Sequence, residues 1–306
     1  MNILSKHLSK NQIIAINLFI QREARPVDRA FHLFRQGEAS YEEVVRCLEL
    51  YQNQDGGFGH ALEPDSRLID SSVLNTTVAL QYLTQLPIKE DHPMIQRALS
   101  YLIKHFDETH QRWPIVPVTI NHVPRAPWWN VNEETGETGF EKTPGNPAAE
   151  ILGYFQYYRE AVPADLIEKT EALVMQRFDE IQDEWDMHEV QCYYRLAQLT
   201  DQEEIKTRIL SKMEQSLHDI FALSKEEWSS YGLQPISLIQ QTDSPFYPEL
   251  EEVVEENAHY LAEQLTSDGC FEPSWEWGQY PIEWEQAKKE WCSFLTVMAC
   301  HPPKVY

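Results

Sequence analysis

Between residues 41 and 51 the apolar side chains keep to one stripe, Val44, Val45, Leu48 and Tyr51, the pattern of an amphipathic helix with one wet face. Beyond residue 71 they point nearly all round, at Val73, Leu74, Val78, Ala79, Leu80, Tyr82 and Leu83, and such a helix is buried on most sides. The alternation recurs along the chain. Met94, Ile95, Ala98, Leu99, Leu102 and Ile103 form a stripe, followed by a long loop over 107–145 and an apolar, aromatic helix around Ile151, Leu152, Tyr154, Phe155 and Tyr158. Ile167, Thr170, Val174, Phe178 and Ile181 lead through the corner Asp183-Glu184-Trp185-Asp186 to a helix over 188–199. Ile205, Ile209, Met213, Leu217 and Ile220 lead to a short run over 233–240. Val253, Val254, Ala258, Leu261 and Leu265 lead to a closing helix over 284–300. A first pair over 7–22 and 27–36 completes six repeats of roughly fifty residues, in the range of helical arrays.

One-faced helices alternating with all-round ones predict a double ring, outer helices wrapped on inner ones. The fold class expected is all-α, an α/α toroid of about six outer–inner hairpins forming one domain over 1–306. The joint Gln52-Asn53-Gln54-Asp55-Gly56-Gly57-Phe58-Gly59 is the sharpest local signal. Its paired glycines allow backbone angles closed to other residues, Asp55 can cap backbone N–H groups, and the aromatic ring closes the corner.

Charge narrows the function classes. With 49 Asp and Glu against 25 Lys and Arg, the formal net charge is −24, which argues against nucleic-acid or anionic-membrane partners. No apolar run reaches the length of a membrane span, and the N-terminal residues lack a signal-peptide core. The five cysteines, Cys47, Cys192, Cys270, Cys292 and Cys300, include no CxxC pair and read as buried free thiols in a reducing cytoplasm.

QNQDGGFG followed by the helix over 71–86 resembles the repeat of the terpenoid-cyclase and protein-prenyltransferase superfamily, whose members are α/α toroids. SDGCF at 267–271 resembles a degenerate copy, with Gln264 one residue further away than Gln52 is from its own corner. The strings GHALEPD, RAPWW and NPAAEI are similar to uncharacterised bacterial proteins with prenyltransferase-type repeats. The resemblance implies a fold and leaves the reaction open, because fold alone does not transmit function. The DxDD motif of alkene-protonating cyclases and the DDxxD motif of prenyl-diphosphate ionisation are both missing. Asp268 and Cys270 resemble two ligands of the prenyltransferase zinc, with His301 as a third. The repeat corner already explains Asp268, and His301 follows the last helix in a proline-rich tail, so no metal and no cofactor are assigned.

In such a ring every outer-to-inner joint lies at one end, and these joints are the long, polar, aromatic ones. They carry His60 with Glu63 and Asp65, then Trp128, Trp129 and Asn130, then His188 and Glu189, Tyr231, and finally Trp275, Trp277 and Trp284. Pro64 biases Glu63 toward an extended backbone, which would place the Glu63 and Asp65 Cα atoms about 6–7 Å apart on one side. The pair then either shares a cation or proton, or staples its own loop to backbone amides. His188 and Glu189 offer a base and an orienting carboxylate, or a satisfied helix start. Asp70, Ser71 and Asp186 read as helix caps. The tryptophans suit an apolar isoprenoid wall or sugar-stacking platforms. The sequence therefore predicts a small-molecule site, for an isoprenoid or a carbohydrate, at the rim of a central cavity. A carbohydrate-active enzyme using rim carboxylates and a non-catalytic binding or assembly protein stay open as alternatives.

Overall fold

Local chemistry sets where the helices start and stop. Ser9 accepts the Gln12 N–H at 3.3 Å while its own N–H donates to Gln12 Oε1 at 2.9 Å, a capping box that opens the first long helix. Pro26 and Pro93 sit in first turns, where a missing N–H costs nothing, and Gly37 ends a helix at φ +77°. In the computed structural model, which describes residues 2–303, this chemistry gives an all-helical chain with no strand among the described residues. The helices are α1 (Leu4–His7), α2 (Lys10–Glu23), α3 (Pro26–Gln36), α4 (Tyr41–Glu49), α5 (Val73–Leu83), α6 (Pro93–Lys104) and α7 (Gly145–Tyr157). There follow α8 (Ala164–Glu180), α9 (Met187–Leu199), α10 (Glu203–Gln215), α11 (Leu217–Ile220), α12 (Lys225–Trp228), α13 (Tyr247–Glu263) and α14 (Pro281–Cys300). None of the described helices is long and apolar enough to cross a membrane.

The helical run expected over 233–240 is instead a single 3-10 turn at Pro235–Ser237. Pro235 cannot donate to a preceding turn, and the short capped helix α12 takes the place before it. Loop 107–145 contains 3-10 turns at Val118–His122, Pro127–Trp129 and Phe140–Lys142.

Two compact units divide the chain. Residues 48–219 with 277–280 make one. Within it α7 packs against both α5 and α9, while α6 lies on α5, α8 on α7 and α10 on α9. Leu80, Tyr82, Leu83, Ile151, Leu152, Tyr154, Phe155, Tyr193 and Leu196 are all buried there, which explains why the sequences of α5 and α7 are apolar on most sides.

Residues 2–47, 220–276 and 281–303 make the other unit. There α14 packs on α2 and α3, and α1 packs on α13. Leu4, Ala262 and Phe271 form a cluster joined by Leu8, Leu261, Leu265, Leu295 and Ala299, so the first helix shares a core with the last two. A fully buried polar latch ties α3 to α14. Asp28 accepts from Arg25 Nε at 2.7 Å and from Ser293 Oγ at 2.6 Å, and Ser293 Oγ accepts the Arg25 N–H at 2.9 Å. All its members are hydrogen-bonded, as burial of charge requires.

Two joints, one in each unit, have the same construction. In the first, the Asn53 N–H donates to Gly57 O at 2.8 Å and the Gly56 N–H to Asn53 O at 3.1 Å. The Phe58 N–H donates to Thr76 Oγ1 of α5 at 3.0 Å. In the second, Thr266 N–H reaches Cys270 O at 3.0 Å, Gly269 N–H reaches Thr266 O at 3.0 Å, and Phe271 N–H reaches Thr296 Oγ1 of α14 at 2.9 Å. Gly56 and Gly269 have φ +94° and +87°. A Cβ on Gly56 would lie 2.5 Å from Arg97 O of α6, and one on Gly269 would lie 2.3 Å from Ala15 O of α2. Each joint therefore rests its glycine on the backbone of another helix, in a conformation only glycine adopts readily.

The remaining polar groups of the first joint are occupied as well. Asp55 Oδ1 accepts from Gly57 N at 3.1 Å and from Ser71 Oγ at 2.7 Å, and Gln52 Nε2 donates to Gly56 O at 2.9 Å and Met94 O at 3.1 Å. The cap of α5 is Ser72, accepting from Asn75 N at 3.0 Å, one residue beyond the expected Ser71, which is engaged with Asp55. Asp70 accepts from Thr119 Oγ1 instead of capping α5.

Gly59 tests this tightness apart from any φ requirement. A Cβ there would lie 2.2 Å from Ile69 O and 2.4 Å from Asp70 O, whereas nothing lies within 4 Å of one at Gly139. Gly59→Ala is expected to lower the unfolding free energy by about 2–3 kcal/mol through overpacking. Gly139→Ala should leave it within about 0.5 kcal/mol. Urea denaturation of the two variants beside wild type checks both.

Candidate functional site

Most residues expected at the rim are engaged in building loops. Glu63 and Asp65 are both buried, at 6 % and 4 % exposure. The Asp65 N–H donates to Glu63 Oε2 at 3.0 Å, the Glu63 N–H donates to Asn75 Oδ1 at 2.8 Å, and Trp277 Nε1 donates to Asp65 Oδ1 at 2.8 Å. The backbone continues the staple, with Ala126 N–H on Asp65 O and Arg67 N–H on Pro124 O, both at 2.8 Å. The structure thus gathers the segments around 63–67, 124–130 and 277–279, with Gln279 Nε2 donating to Arg125 O at 2.9 Å. Asn130 is exposed and accepts from Arg125 Nε at 2.9 Å. His60 is exposed, meets Asn53 Oδ1 at 2.9 Å, and with Ala61 holds a positive φ (54° and 59°) that costs backbone strain in a non-glycine residue.

Glu189 is fully buried. Its Oε1 accepts from Gly145 N at 2.8 Å and Arg177 Nε at 3.0 Å, and its Oε2 accepts from Arg177 Nη2 at 2.8 Å. This carboxylate therefore sits on the positive end of α7 and joins α7, α8 and α9. Gly145 admits it, since a Cβ there would lie 2.7 Å from Glu189 Oε1. Asp186 caps α9, accepting from His188 N at 2.9 Å and Glu189 N at 3.0 Å. Tyr231, Trp275 and Trp284 belong to the other unit. There Tyr231 is 55 % exposed and meets Trp275 edge-on at 6.0 Å, Trp275 meets Trp291 at 5.0 Å, and Trp284 is half-buried.

His188 is the expected catalytic residue whose surroundings remain partly open. After Met187 at its start, the half-exposed or exposed residues of α9 fall at helical spacing, His188, Gln191, Arg195 and Gln198, on a helix otherwise buried. Leu74, Val78 and Gln81 form the matching stripe on α5. Glu150 of α7 connects the two stripes. Its Oε2 receives Arg195 Nη1 at 3.2 Å, Gln81 Nε2 at 3.2 Å and the Tyr154 hydroxyl at 3.1 Å. Among the described residues all three contacts fall on Oε2. The Glu150 side chain is 5 % exposed, whereas Arg195 keeps 29 % of its side chain open to solvent. The result is a polar seam between helices whose other faces are apolar.

The seam's groups perturb one another. Burial opposes the Arg195 charge, but Glu150, with Cys192 and Tyr154, raises its pKa above the ordinary value. Burial lowers the pKa of His188, Asp186 works the other way, and Arg195 lowers it further. Burial also raises the Tyr154 hydroxyl, with Glu150 adding to it, and raises the Cys192 thiol. At neutral pH the seam thus presents a charged guanidinium, held by Glu150, beside a neutral imidazole. An aromatic row approaches the imidazole. Phe140 meets His188 edge-on at 6.0 Å, and Trp129 lies 5.0 Å from Phe140. Trp129 is buried with no partner for its Nε1 among the described residues, and Trp128 beside it is half-buried.

Gln81, Glu150, Gln191 and Arg195 do not belong to any loop motif and lie inside helices that are mostly buried. The usable signal was a carboxylate inside the run around Ile151 and Leu152, where charge is rare without a partner. A depression of about 610 Å³ lined by Arg159, Glu160, Glu168, Glu171 and Gln202 lies elsewhere on this unit and includes none of the seam residues. No group of three or more His, Cys, Asp or Glu among the described residues is placed to hold a metal ion. No protein-family model matches the chain, and no curated protein matches it.

Two outcomes separate scaffold from site. Glu189→Gln leaves the Arg177 guanidinium without its carboxylate and is expected to cost about 3 kcal/mol of stability in urea unfolding. His188 has a folded pKa below its unfolded value of about 6.5. Between the two values the unfolded chain binds more protons, so stability falls as pH drops below about 6.5. His188→Gln should flatten this part of the pH dependence, read as a smaller change of urea midpoint between pH 7 and pH 5 than in wild type.

Proposed function

We propose that the helical hairpins close into an α/α toroid of the terpenoid-cyclase and prenyltransferase kind, and that the seam over α5, α7 and α9 binds a small molecule with a polar, hydrogen-bonding head. Closure is supported by the paired joints. The glycine of the first rests on α6, the next one-faced helix in the chain, and the glycine of the last rests on α2, the first such helix. The binding site is supported chiefly by one observation, the pairing of buried Glu150 with Arg195 on the open stripe of an otherwise buried helix. An isoprenoid chain alone would leave those charges without ligand partners. A hydroxylated or charged ligand can take hydrogen bonds from the guanidinium edge, from Gln81 and Gln191, and at Glu150. The Trp129–Phe140 row supplies an apolar side to the same place.

A second reading is acid–base catalysis on a carbohydrate-type ligand, favoured by the neutral His188 imidazole next to Arg195. In this reading His188 accepts a proton from a ligand hydroxyl while Arg195 stabilises the negative charge that develops. Glu63, Asp65 and Glu189 are assigned to the scaffold in both readings.

The test is a calorimetric and thermal-shift panel of neutral oligosaccharides, sugar acids and polyprenyl diphosphates against wild type, His188→Gln and Gln191→Ala. Both substitutions fall on half-exposed positions, so folding is expected to survive them. Any ligand that binds should bind at least tenfold more weakly to one or both variants, a loss of about 1.4 kcal/mol. Equal affinity in all three proteins would remove the seam from consideration. Turnover that is lost in His188→Gln with binding retained would support the catalytic reading.

A further inference from the structure

Two imidazoles meet where the chain leaves α14. His301 follows that helix, and its Nε2 lies 2.8 Å from Nδ1 of His32 on α3, with the two rings edge-on and 4.8 Å apart. On the far side of the His32 ring the Gln36 amide nitrogen stands 2.9 Å from Nε2. Arg35 of α3 donates to Pro302 O at 2.7 Å, and its guanidinium lies over the ring of Phe31, which itself meets His301 edge-on at 6.4 Å. His32 is 5 % exposed and Pro302 is buried. Residues 301–302 are therefore clasped to the last turns of α3 by a histidine pair, an arginine and an aromatic ring.

The hydrogen-bond partners place the protons. An amide nitrogen only donates, so His32 Nε2 accepts from Gln36 and the His32 proton sits on Nδ1. That N–H donates to His301 Nε2, which carries no proton of its own. Both rings are then neutral, and each bare nitrogen already receives a neighbour's hydrogen. A proton added to His301 goes to Nε2 and confronts the His32 N–H across 2.8 Å. A proton added to His32 goes to Nε2 and confronts the Gln36 amide hydrogens.

We propose that this clasp is a pH-operated switch, which holds the segment after α14 on α3 while both imidazoles are neutral and releases it when they are protonated. The surrounding charges act in the same sense at His301. Burial, the His32 ring and the Arg35 guanidinium together hold it down to about 3. Burial lowers His32 as well, against an opposing pull from Glu38 just past the helix. The Cys300 thiol, next in the chain, is pushed up to about 11 by burial and stays neutral. On release the imidazoles return to about 6.5. The released form thus binds more protons than the clasped one, so clasping is complete above about pH 6.5 and weakens as the pH falls below it. His301 alone lowers the clasping equilibrium about tenfold between pH 7.5 and pH 5.5, and His32 adds to that loss.

The experiment follows the full chain, labelled with nitrogen-15, by NMR from pH 7.5 to pH 5.5, beside His301→Ala, which lacks the accepting ring and stands for the released form. At pH 7.5 the His32 side chain is expected as the Nδ1–H tautomer, and the Phe31, Gln36 and Gly37 amide signals should differ between the two proteins. As the pH falls the wild-type signals should move toward those of the variant, whose own change little. An Nε2–H tautomer at His32, or α3 signals that do not approach the variant's, would overturn the proposal. If the variant fails to fold, the wild-type spectra decide: His301 taking up its proton while the α3 amides stay in place has the same adverse meaning.

Discussion

The approach of a glycine to another helix's backbone is the constraint from which the helix arrangement follows. At Gly56 and Gly269 the chain turns with a left-handed residue and sets its Cα against a carbonyl of α6 or α2, at a distance no Cβ tolerates. Once that contact is made, the next residues have little freedom. A phenylalanine two residues on is buried, and its N–H is taken by a threonine hydroxyl of the following long helix, in the second turn of α5 or near the end of α14. Each joint thereby fixes the helix it enters against the one it leans on. Beyond Asp-Gly-x-Phe and the receiving threonine the two joints share little sequence, because their other common hydrogen bonds are made by backbone.

This explains what could be read in advance. The helices from α4 to α10 follow from hydrophobic periodicity because each buries a defined set of faces, and Asp186 caps α9 as its position suggested. The turn at Pro235–Ser237 was not legible as such, since a short apolar run looks alike whether it is helical or extended. The carboxylates after the first joint were visible, but their employment was not. Glu63 and Asp65 face backbone N–H groups and Trp277, a partner more than two hundred positions along the chain that no local pattern announces. Glu150 and Arg195 were hidden for the opposite reason. Each lies inside a mostly buried helix and outside any loop motif, and only their meeting makes them conspicuous.

The seam also illustrates how burial divides roles among similar groups. Glu189 and Glu150 both lie on buried helices and both meet an arginine. Glu189 accepts on both oxygens and is enclosed, so it fastens helices together. Glu150 concentrates its contacts on one oxygen, and its arginine stays partly in solvent. The first arrangement consumes the charge, and the second leaves part of it available to a ligand.

The composition of the first-described helices has a consequence for the order in which the protein takes shape. The Asn2 amide donates to Ala299 O and Cys300 O, Gln12 Nε2 donates to Ala262 O, and Arg25 and Asp28 meet Ser293. Residues 2–47 thus find these partners only after residues 262–300 have been made. Residues 48–219 can collapse on themselves while the rest is still being made, as domains do during synthesis. During that interval α2 carries Ile16, Phe19 and Ile20 uncovered. The long wait of this segment makes it the natural point for chaperone capture or misassociation, a vulnerability set by chain connectivity and not by the stability of the finished fold.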